Sequence, residues 1–237
     1  GTGTGPFDNH STTVSSDSMG SLTVHGHGGS NAASALDTTA AGDLWDNTLG
    51  LSLANDPATA QSGDGLVVYT LPTLAEGVAI SGSYASAGEG HEGSTALSLV
   101  YTGVEGLTVS LGKGDDNSTV AVSADQTVMK ASYAYGPVTL GYSNNDYDHT
   151  TAASDQEVSS FNLSYTVSDA ISISYGEETI DKSGTTADIE VSGVNASYTS
   201  GGMTLSVKSV KADNIDYSST TANNDNEMFK LAASFAF

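Results

Sequence analysis

Carboxylates are the most numerous side chains in this sequence that could bind or steer an ion. Four of the five in the long link between residues 28 and 65 are candidates for this role: Asp37, Asp43, Asp46 and Asp56. Such a group attracts cations through its summed charge. The competing interpretation is that some of these residues only keep the link soluble or cap a helix, a role for which Asp43 is the best candidate.

Other carboxylates and two histidines could hold a metal ion. The carboxylates lie in polar stretches that the sequence predicts as loops: Asp115, Asp116, Asp146 and Asp148. They could offer oxygen ligands to Ca²⁺, although none matches the spacing of an EF-hand loop. His25 and His27 share one face of a predicted strand, but no third ligand follows at a suitable spacing. Solvated loop tips and wet histidines are therefore the preferred interpretations.

Catalysis is not indicated by any set of residues. The sequence has no Cys and no Gly-x-Ser-x-Gly motif, and no nucleophile stands near a candidate base. We therefore predict that the protein is not an enzyme. We also predict that it has no cofactor, with Ca²⁺ the only ion for which the sequence offers ligands.

Charge and composition exclude several classes of protein. The 237 residues carry 28 acidic groups against six basic ones, all lysines, for a net charge of −22. Nucleic-acid binding needs clustered cations and is excluded. The apolar runs are much shorter than the ~20 residues of a membrane helix. Only 14% of residues are charged, which argues against intrinsic disorder and leaves an ordered fold that does not depend on a large apolar core.

The dominant sequence pattern has a period of two, which is typical of β-strands with one apolar and one polar face. Phe161, Leu163 and Tyr165, for example, alternate with Ser and Asn. Short turns and long polar links follow each other, which predicts an antiparallel up-and-down sheet in one all-β domain over residues 1–237. Thirteen strands are predicted, at Ser11–Ser16, Ser21–Gly26, Leu66–Leu71, Val78–Ala85, Thr95–Thr102, Leu107–Lys113, Thr127–Tyr135, Val138–Ser143, Ser159–Thr166, Ile171–Gly176, Glu190–Thr199, Met203–Lys211 and Phe229–Phe237.

Tyrosines recur at fixed positions in this pattern. One set, with intervals of 32 or 33 residues, falls at strand ends before short turns: Tyr69, Tyr101, Tyr133, Tyr165 and Tyr198. A second set lies toward the far end of the returning strands: Tyr84, Tyr142 and Tyr175. Tyrosine is a good strand former, which is one explanation. The regular spacing favours a second explanation, namely aromatic girdles at the two interfaces of a membrane.

The end of the sequence carries the most specific signal. Apolar residues alternate through the last strand, and the chain stops after Phe235 and Phe237. This pattern resembles a Gram-negative outer-membrane β-barrel, in which such an ending serves as the assembly signal.

A second part of the sequence resembles the general trimeric porins, and most closely the acidic porins of α-proteobacteria. The stretch Ser18-Met19-Gly20-Ser21-Leu22-Thr23-Val24 is similar to the turn and strand that precede their third loop. The insertion 28–65, with Gly42-Asp43-Leu44-Trp45-Asp46, is similar to that loop, and Gly65-Leu66-Val67-Val68-Tyr69 to the returning strand. The resemblance implies a transmembrane barrel of about 16 strands when complete. It also implies that this chain lacks about three strands at its N-terminus.

The resemblance implies a role for each candidate residue. The third loop of a porin folds inward, so the four candidate aspartates of the insertion, Asp37, Asp43, Asp46 and Asp56, would lie at the pore constriction. Alternation places Lys130, Lys208 and Lys230 on the inner wall, although each could be an isolated charge in a wet lumen. The arginine cluster that is usual on such walls is missing, because the sequence has no Arg.

As a whole, the resemblance implies passive diffusion of small hydrophilic solutes and ions through an integral outer-membrane homotrimer in contact with lipid and lipopolysaccharide. The acidic balance indicates cation preference. Two other classes remain open at this point, an autotransporter translocator barrel and a secreted acidic β-sandwich or adhesin.

Overall fold

The fold consists of antiparallel β-strands. A computed structural model describes residues 9–36, 39–45, 64–88, 92–119, 122–151, 155–215, 217–219 and 225–236. No helix in these ranges is long and apolar enough to cross a membrane. The prediction of an all-β fold is confirmed, as is the number of thirteen strands.

The strands follow each other in the sheet in chain order, which is the predicted up-and-down topology. Their bounds are β1 His10–Ser16, β2 Gly20–His27, β3 Leu66–Thr70, β4 Val78–Ala85, β5 Ser94–Val104, β6 Leu107–Thr119, β7 Val122–Tyr135, β8 Val138–His149, β9 Gln156–Ser168, β10 Ile171–Lys182, β11 Ile189–Ser200, β12 Met203–Asp213 and β13 Asn226–Phe235. Most of the short turns include a Gly in the left-handed region, such as Gly106 with a φ of 76° between β5 and β6. We call this end of the strands the short-turn end and the other the link end.

The chain forms two compact units. The first comprises Gly1–Thr38, Ala58–Met129 and Asn145–Asp155, and the second comprises Thr39–Pro57, Lys130–Asn144 and Gln156–Phe237. The first therefore contains β1 to β6 with parts of β7 and β8, and the second contains the remainder of those two strands with β9 to β13.

Several strands run further toward the link end than the sequence predicted. β6 continues to Thr119 and β8 to His149, each six residues past its predicted end, and β10 continues to Lys182. The acidic stretches around Asp115 and Asp146 are therefore strand and not loop tips, which corrects the prediction. The cause is pairing with neighbouring strands, which supplies backbone partners even where the apolar alternation has ended.

One face of the sheet is marked by the chain segments that pack against it. In both units, parts of the insertion after β2 lie on the face that carries Ser83, Ser143 and Ser160, and we call this the inner face. The opposite, outer face carries the apolar side chains of the strands, including Leu111, Leu163 and Leu205, all of which are exposed. An exposed apolar outer face is the arrangement that a lipid-facing sheet requires.

The polarity of the two faces is reversed near the link end of the second unit. On β10 the outer side chains change from Ile171, Ile173 and Tyr175 to Glu177, and the inner side chain of Ile180 is fully buried. The same exchange occurs on β11 and β12. The expectation of a polar inner face is therefore wrong for this end of the strands, because the inner face is covered there by another part of the chain.

An apolar cluster fills the inner face of the second unit where the polarity is reversed. Its buried members are Leu44, Val158, Ile180, Ile189, Val191, Val210 and Ala212, with Ala41, Trp45 and Met228 among the residues packed against them. Leu44 comes from the insertion and the others come from β9 to β12. The cluster therefore fixes residues 39–45 on the strands through burial of apolar surface.

We predict that, at the link end of β10, side chains on the inner face contribute more to stability than those on the outer face. Ile180→Ala removes a fully buried side chain and should lower the free energy of unfolding by about 2–5 kcal/mol. Thr179→Ala, one residue away on the outer face, should change it by less than about 0.5 kcal/mol. A urea titration in detergent micelles measures both values, and equal effects of the two substitutions would contradict the reversal.

Candidate functional site

The insertion after β2 lies on the inner face of the first unit. Residues 31–36 form a turn in which the Asn31 side chain accepts hydrogen bonds from Ala33 N and Ser34 N. Ala32 N donates to Ser83 Oγ on β4 at 2.9 Å. Ala32 and Ala33 are buried together with Ala96 of β5. The short side chains of this turn allow it to lie flat on the wall.

In the second unit, residues 39–45 of the insertion lie along the inner face through a series of hydrogen bonds from their backbone. Ala40 N donates to Ser143 Oγ at 2.9 Å, and Ala41 N donates to Ser160 Oγ at 2.8 Å. A buried amide without a partner would cost free energy comparable to a lost hydrogen bond. The serines on the inner face of β8 and β9 therefore replace the partners that a regular helix or strand would have provided.

Glu178 of β10 is the strongest anchor of this segment. Its side chain is 1% exposed, and Oε2 accepts a hydrogen bond from Trp45 N at 3.0 Å. The backbone of Leu44 also interacts with this carboxylate. Within the described residues, the other oxygen, Oε1, has no hydrogen-bond partner. A charge-assisted bond at this depth is stronger than one between neutral groups, so Glu178 holds Trp45 in place.

Glycines on the inner face allow the segment to approach the strands closely. A Cβ at Gly176 of β10 would lie 2.7 Å from Ala41 Cβ, and one at Gly193 of β11 would lie 2.9 Å from Leu44 Cδ2. Real Cβ atoms do not approach other atoms so closely. A larger residue at Gly176 would therefore push the segment away from the wall, whereas one at Gly193 would force the Leu44 side chain to move.

Asp43 is the one predicted acidic site residue of the insertion that the structure describes. It is exposed and has a positive φ of 51°, which Asp tolerates better than most residues. Its Oδ1 accepts a hydrogen bond from Thr39 Oγ1 at 2.6 Å. Asp37, Asp46 and Asp56 lie outside the described residues.

The three predicted wall lysines lie on the inner face. Lys130 Nζ on β7 donates to Thr39 O at 2.8 Å. Lys208 on β12 is paired in register with Lys230 on β13, and it interacts electrostatically with both Glu178 and Lys230. Alternation along the strands predicts the same side of the sheet for these lysines, and their role on a pore wall stays a prediction. Sequence reasoning missed Glu178, because Glu178 lies in a stretch that the sequence predicts as a link.

The candidate metal ligands do not gather into a site. Asp116 accepts a hydrogen bond from the Tyr147 hydroxyl at 2.7 Å, whereas Asp115 accepts from Thr95 N and Thr95 Oγ1. The four candidates are therefore divided between the two faces of β6 and β8, with Asp146 and Asp148 on the exposed side. Across the described ranges, no three His, Cys, Asp or Glu side chains are placed to hold one metal ion.

The tyrosines of both predicted girdles have their side chains on the outer face. Seven of them are exposed and Tyr101 is half-buried. Tyr69 additionally donates from its hydroxyl to Met19 O in the turn after β1. Phe235 ends β13 and is exposed, and Phe237 lies outside the described residues.

Comparison with known proteins identifies the family of the chain. A family model described as "Gram-negative porin" matches residues 1–205. The chain belongs to the Gram-negative porin family. As a porin it is an integral protein of the outer membrane in which the β-sheet forms the wall of a channel. The family match favours the porin interpretation over the autotransporter and the adhesin.

Solved porin structures share the fold of this porin at low sequence identity. A porin structure refined at 1.8 Å resolution has 18% identity and a TM-score of 0.66, with 96% of this chain and 80% of that chain covered. OmpT of Vibrio cholerae has 16% identity and a TM-score of 0.62 at the same coverages. An anion-selective porin from Comamonas acidovorans has 15% identity and a TM-score of 0.60, covering 86% and 67%. No curated protein matches the chain.

We predict that Glu178 controls the position of residues 39–45. Trp45 is the single Trp of the sequence, so its fluorescence reports on this segment alone. Glu178→Ala removes the acceptor of Trp45 N and should shift the emission to longer wavelength and increase quenching by acrylamide. Glu178→Gln retains an acceptor oxygen and should shift the emission less.

The matched control is Glu177→Ala, which removes a carboxylate from the outer face of the same strand. It should leave the Trp45 emission unchanged. An unchanged spectrum in Glu178→Ala would show that Glu178 does not hold the segment.

Proposed function

We propose that this porin is a passive diffusion channel for small hydrophilic solutes and ions, with a preference for cations and without a catalytic step. The single observation that supports it best is the covering of the inner face by residues 39–45 of the insertion, with Asp43 exposed on that segment. A chain segment that lies across the inner face narrows the path of a solute. The charges on it then act where the path is narrowest.

In this proposal the insertion 28–65 is the constriction loop. Asp37, Asp46 and Asp56 act with Asp43 on the negative side of the path, and Lys130, Lys208 and Lys230 act on the wall. The net charge of −22 supports a negative potential over the whole channel. The two tyrosine sets act as girdles where the outer face meets the two membrane interfaces, and the Phe235 and Phe237 ending acts in assembly.

Selectivity is a matter of charge and not of fold. The Comamonas acidovorans porin shares this fold and is named anion-selective. The sign of the preference in the present porin must therefore come from its own side chains. Its excess of carboxylates, 28 against six lysines, favours cations.

We predict that the reversal potential of this porin in a planar bilayer under a KCl gradient has the sign of cation preference. Asp43→Asn should reduce the preference, because it removes a charge and keeps the side-chain oxygen that Thr39 contacts. Asp169→Asn, in the exposed turn between β9 and β10, should have a smaller effect. A clear anion preference of the unaltered protein would refute the proposal.

The assembly that we propose is a homotrimer in contact with outer-membrane lipid and lipopolysaccharide. One OmpT structure with this fold, at 17% identity, is described as a trimer form. The detergent-solubilised protein should therefore have a mass of three chains by light scattering after correction for detergent. A mass of one chain would contradict the assembly without affecting the channel itself.

We also propose a role for the four candidate Ca²⁺ ligands. Asp115, Asp116, Asp146 and Asp148 could lower the self-repulsion of the strongly acidic chain by weak binding of divalent ions.

A further inference from the structure

A cavity of about 220 Å³ lies on the inner face of the second unit, beside residues 39–45 of the insertion. Ala41 and Leu44 form its apolar side, and Asn162, Ser174, Asn195 and Lys208 supply its polar side. This volume is below the ~300–1,000 Å³ of pockets for drug-sized ligands. The cavity therefore suits a solute no larger than a hexose.

Three of the polar side chains of the cavity, Ser174, Asn195 and Lys208, form a row across the strands that continues to Lys230. Ser174 of β10 is paired in register with Asn195 of β11, Asn195 with Lys208 of β12, and Lys208 with Lys230 of β13. Directly paired positions in an antiparallel sheet have Cβ atoms about 4.5–5.5 Å apart. One solute of hexose size can thus contact two or three members of the row together.

The charge of the row differs in sign from that of the whole chain. Lys208 and Lys230 are basic side chains at directly paired positions, and Lys208 has the carboxyl group of Glu178 as an electrostatic neighbour. Glu178 is buried and directs Oε2 to the backbone of Trp45. The row itself therefore holds two lysines and no carboxylate, in a chain of net charge −22. An anionic group that has entered the channel is attracted electrostatically to this row.

We infer that this cavity is a subsite for small polyhydroxy carboxylates, such as sugar acids. The carboxylate of the solute accepts a hydrogen bond from Lys208, and its hydroxyl groups bond to Asn162, Ser174 and Asn195. Amide and hydroxyl side chains can both donate and accept, which suits hydroxyl groups. The apolar faces of Ala41 and Leu44 contact the carbon skeleton. This inference rests on the proposed channel function and names the class of solute that the channel retards.

The test is single-channel recording in planar bilayers at low KCl concentration, with sodium gluconate as the probe. D-Glucose, which has the same carbon skeleton without the charge, serves as the reference solute. Gluconate should interrupt the current of the unaltered porin at a concentration about tenfold lower than glucose does, the factor expected for one charge-assisted hydrogen bond. Equal interruption by the two solutes would overturn the subsite.

Substitutions then place the effect at the cavity. Lys208→Met should raise the blocking concentration of gluconate about tenfold, and Asn195→Asp should raise it by repulsion while glucose is affected less. Lys113→Met is the matched control, because Lys113 is exposed, lies 3.9 Å from Asp125 and is not among the residues that line the cavity. A loss in Lys113→Met equal to that in Lys208→Met would overturn the inference.

The outcomes separate the subsite from the channel. Absence of any KCl conductance in the unaltered porin would contradict the proposed function itself. Normal conductance with no interruption by gluconate would overturn the subsite alone. KCl conductance also shows that each variant has folded, so that a change in gluconate block cannot be attributed to loss of the protein.

Discussion

A segment that lies flat on the inner face of a sheet must find partners for its own backbone, and this constraint explains much of the structure. The backbone groups of β8, β9 and β10 pair with the neighbouring strands. The backbone amides of Ala40, Ala41 and Trp45 therefore donate hydrogen bonds to side chains, namely two serine hydroxyls and the Glu178 carboxylate. Glycines at 176 and 193 provide the space. Polar side chains on the inner face thus provide hydrogen-bond partners for the backbone of this segment as well as for water.

The reversal of polarity along β10, β11 and β12 follows from the same constraint. Near the short-turn end the outer face is apolar, and the inner face carries serines, threonines, amides and Lys208. Near the link end the outer face carries Glu177 and Glu190, and the inner face packs against Leu44. Beyond the apolar part of the outer face, successive side chains of these strands still alternate between the two faces. What changes is the environment of each face: the outer face passes from lipid to water, and the inner face passes from water to protein.

Electrostatics act at two distances in this porin. The net charge of −22 sets a field that extends about a Debye length from the protein, close to 10 Å at ~0.1 M salt. The row from Ser174 to Lys230 acts over hydrogen-bond distances and has the opposite sign. A channel can therefore admit cations in excess and still retain a particular class of anion at one place. Glu178 connects this row to the segment that carries Asp43, because it interacts with Lys208 and accepts a hydrogen bond from Trp45 N.

The sequence by itself determined the number of strands, their order and the face on which each side chain lies, including the inner positions of Lys130, Lys208 and Lys230. These properties are local, because successive side chains of a strand point to opposite faces whatever the rest of the chain does.

The tertiary structure alone decided how far β6, β8 and β10 extend, and that Glu178 is an anchor and not a solvated link residue. It also decided that Asn162, Asn195 and Lys208 line one cavity. These properties depend on partners far apart in the chain: Glu178 meets Trp45 across 133 residues. No local pattern encodes which distant amide will need an acceptor.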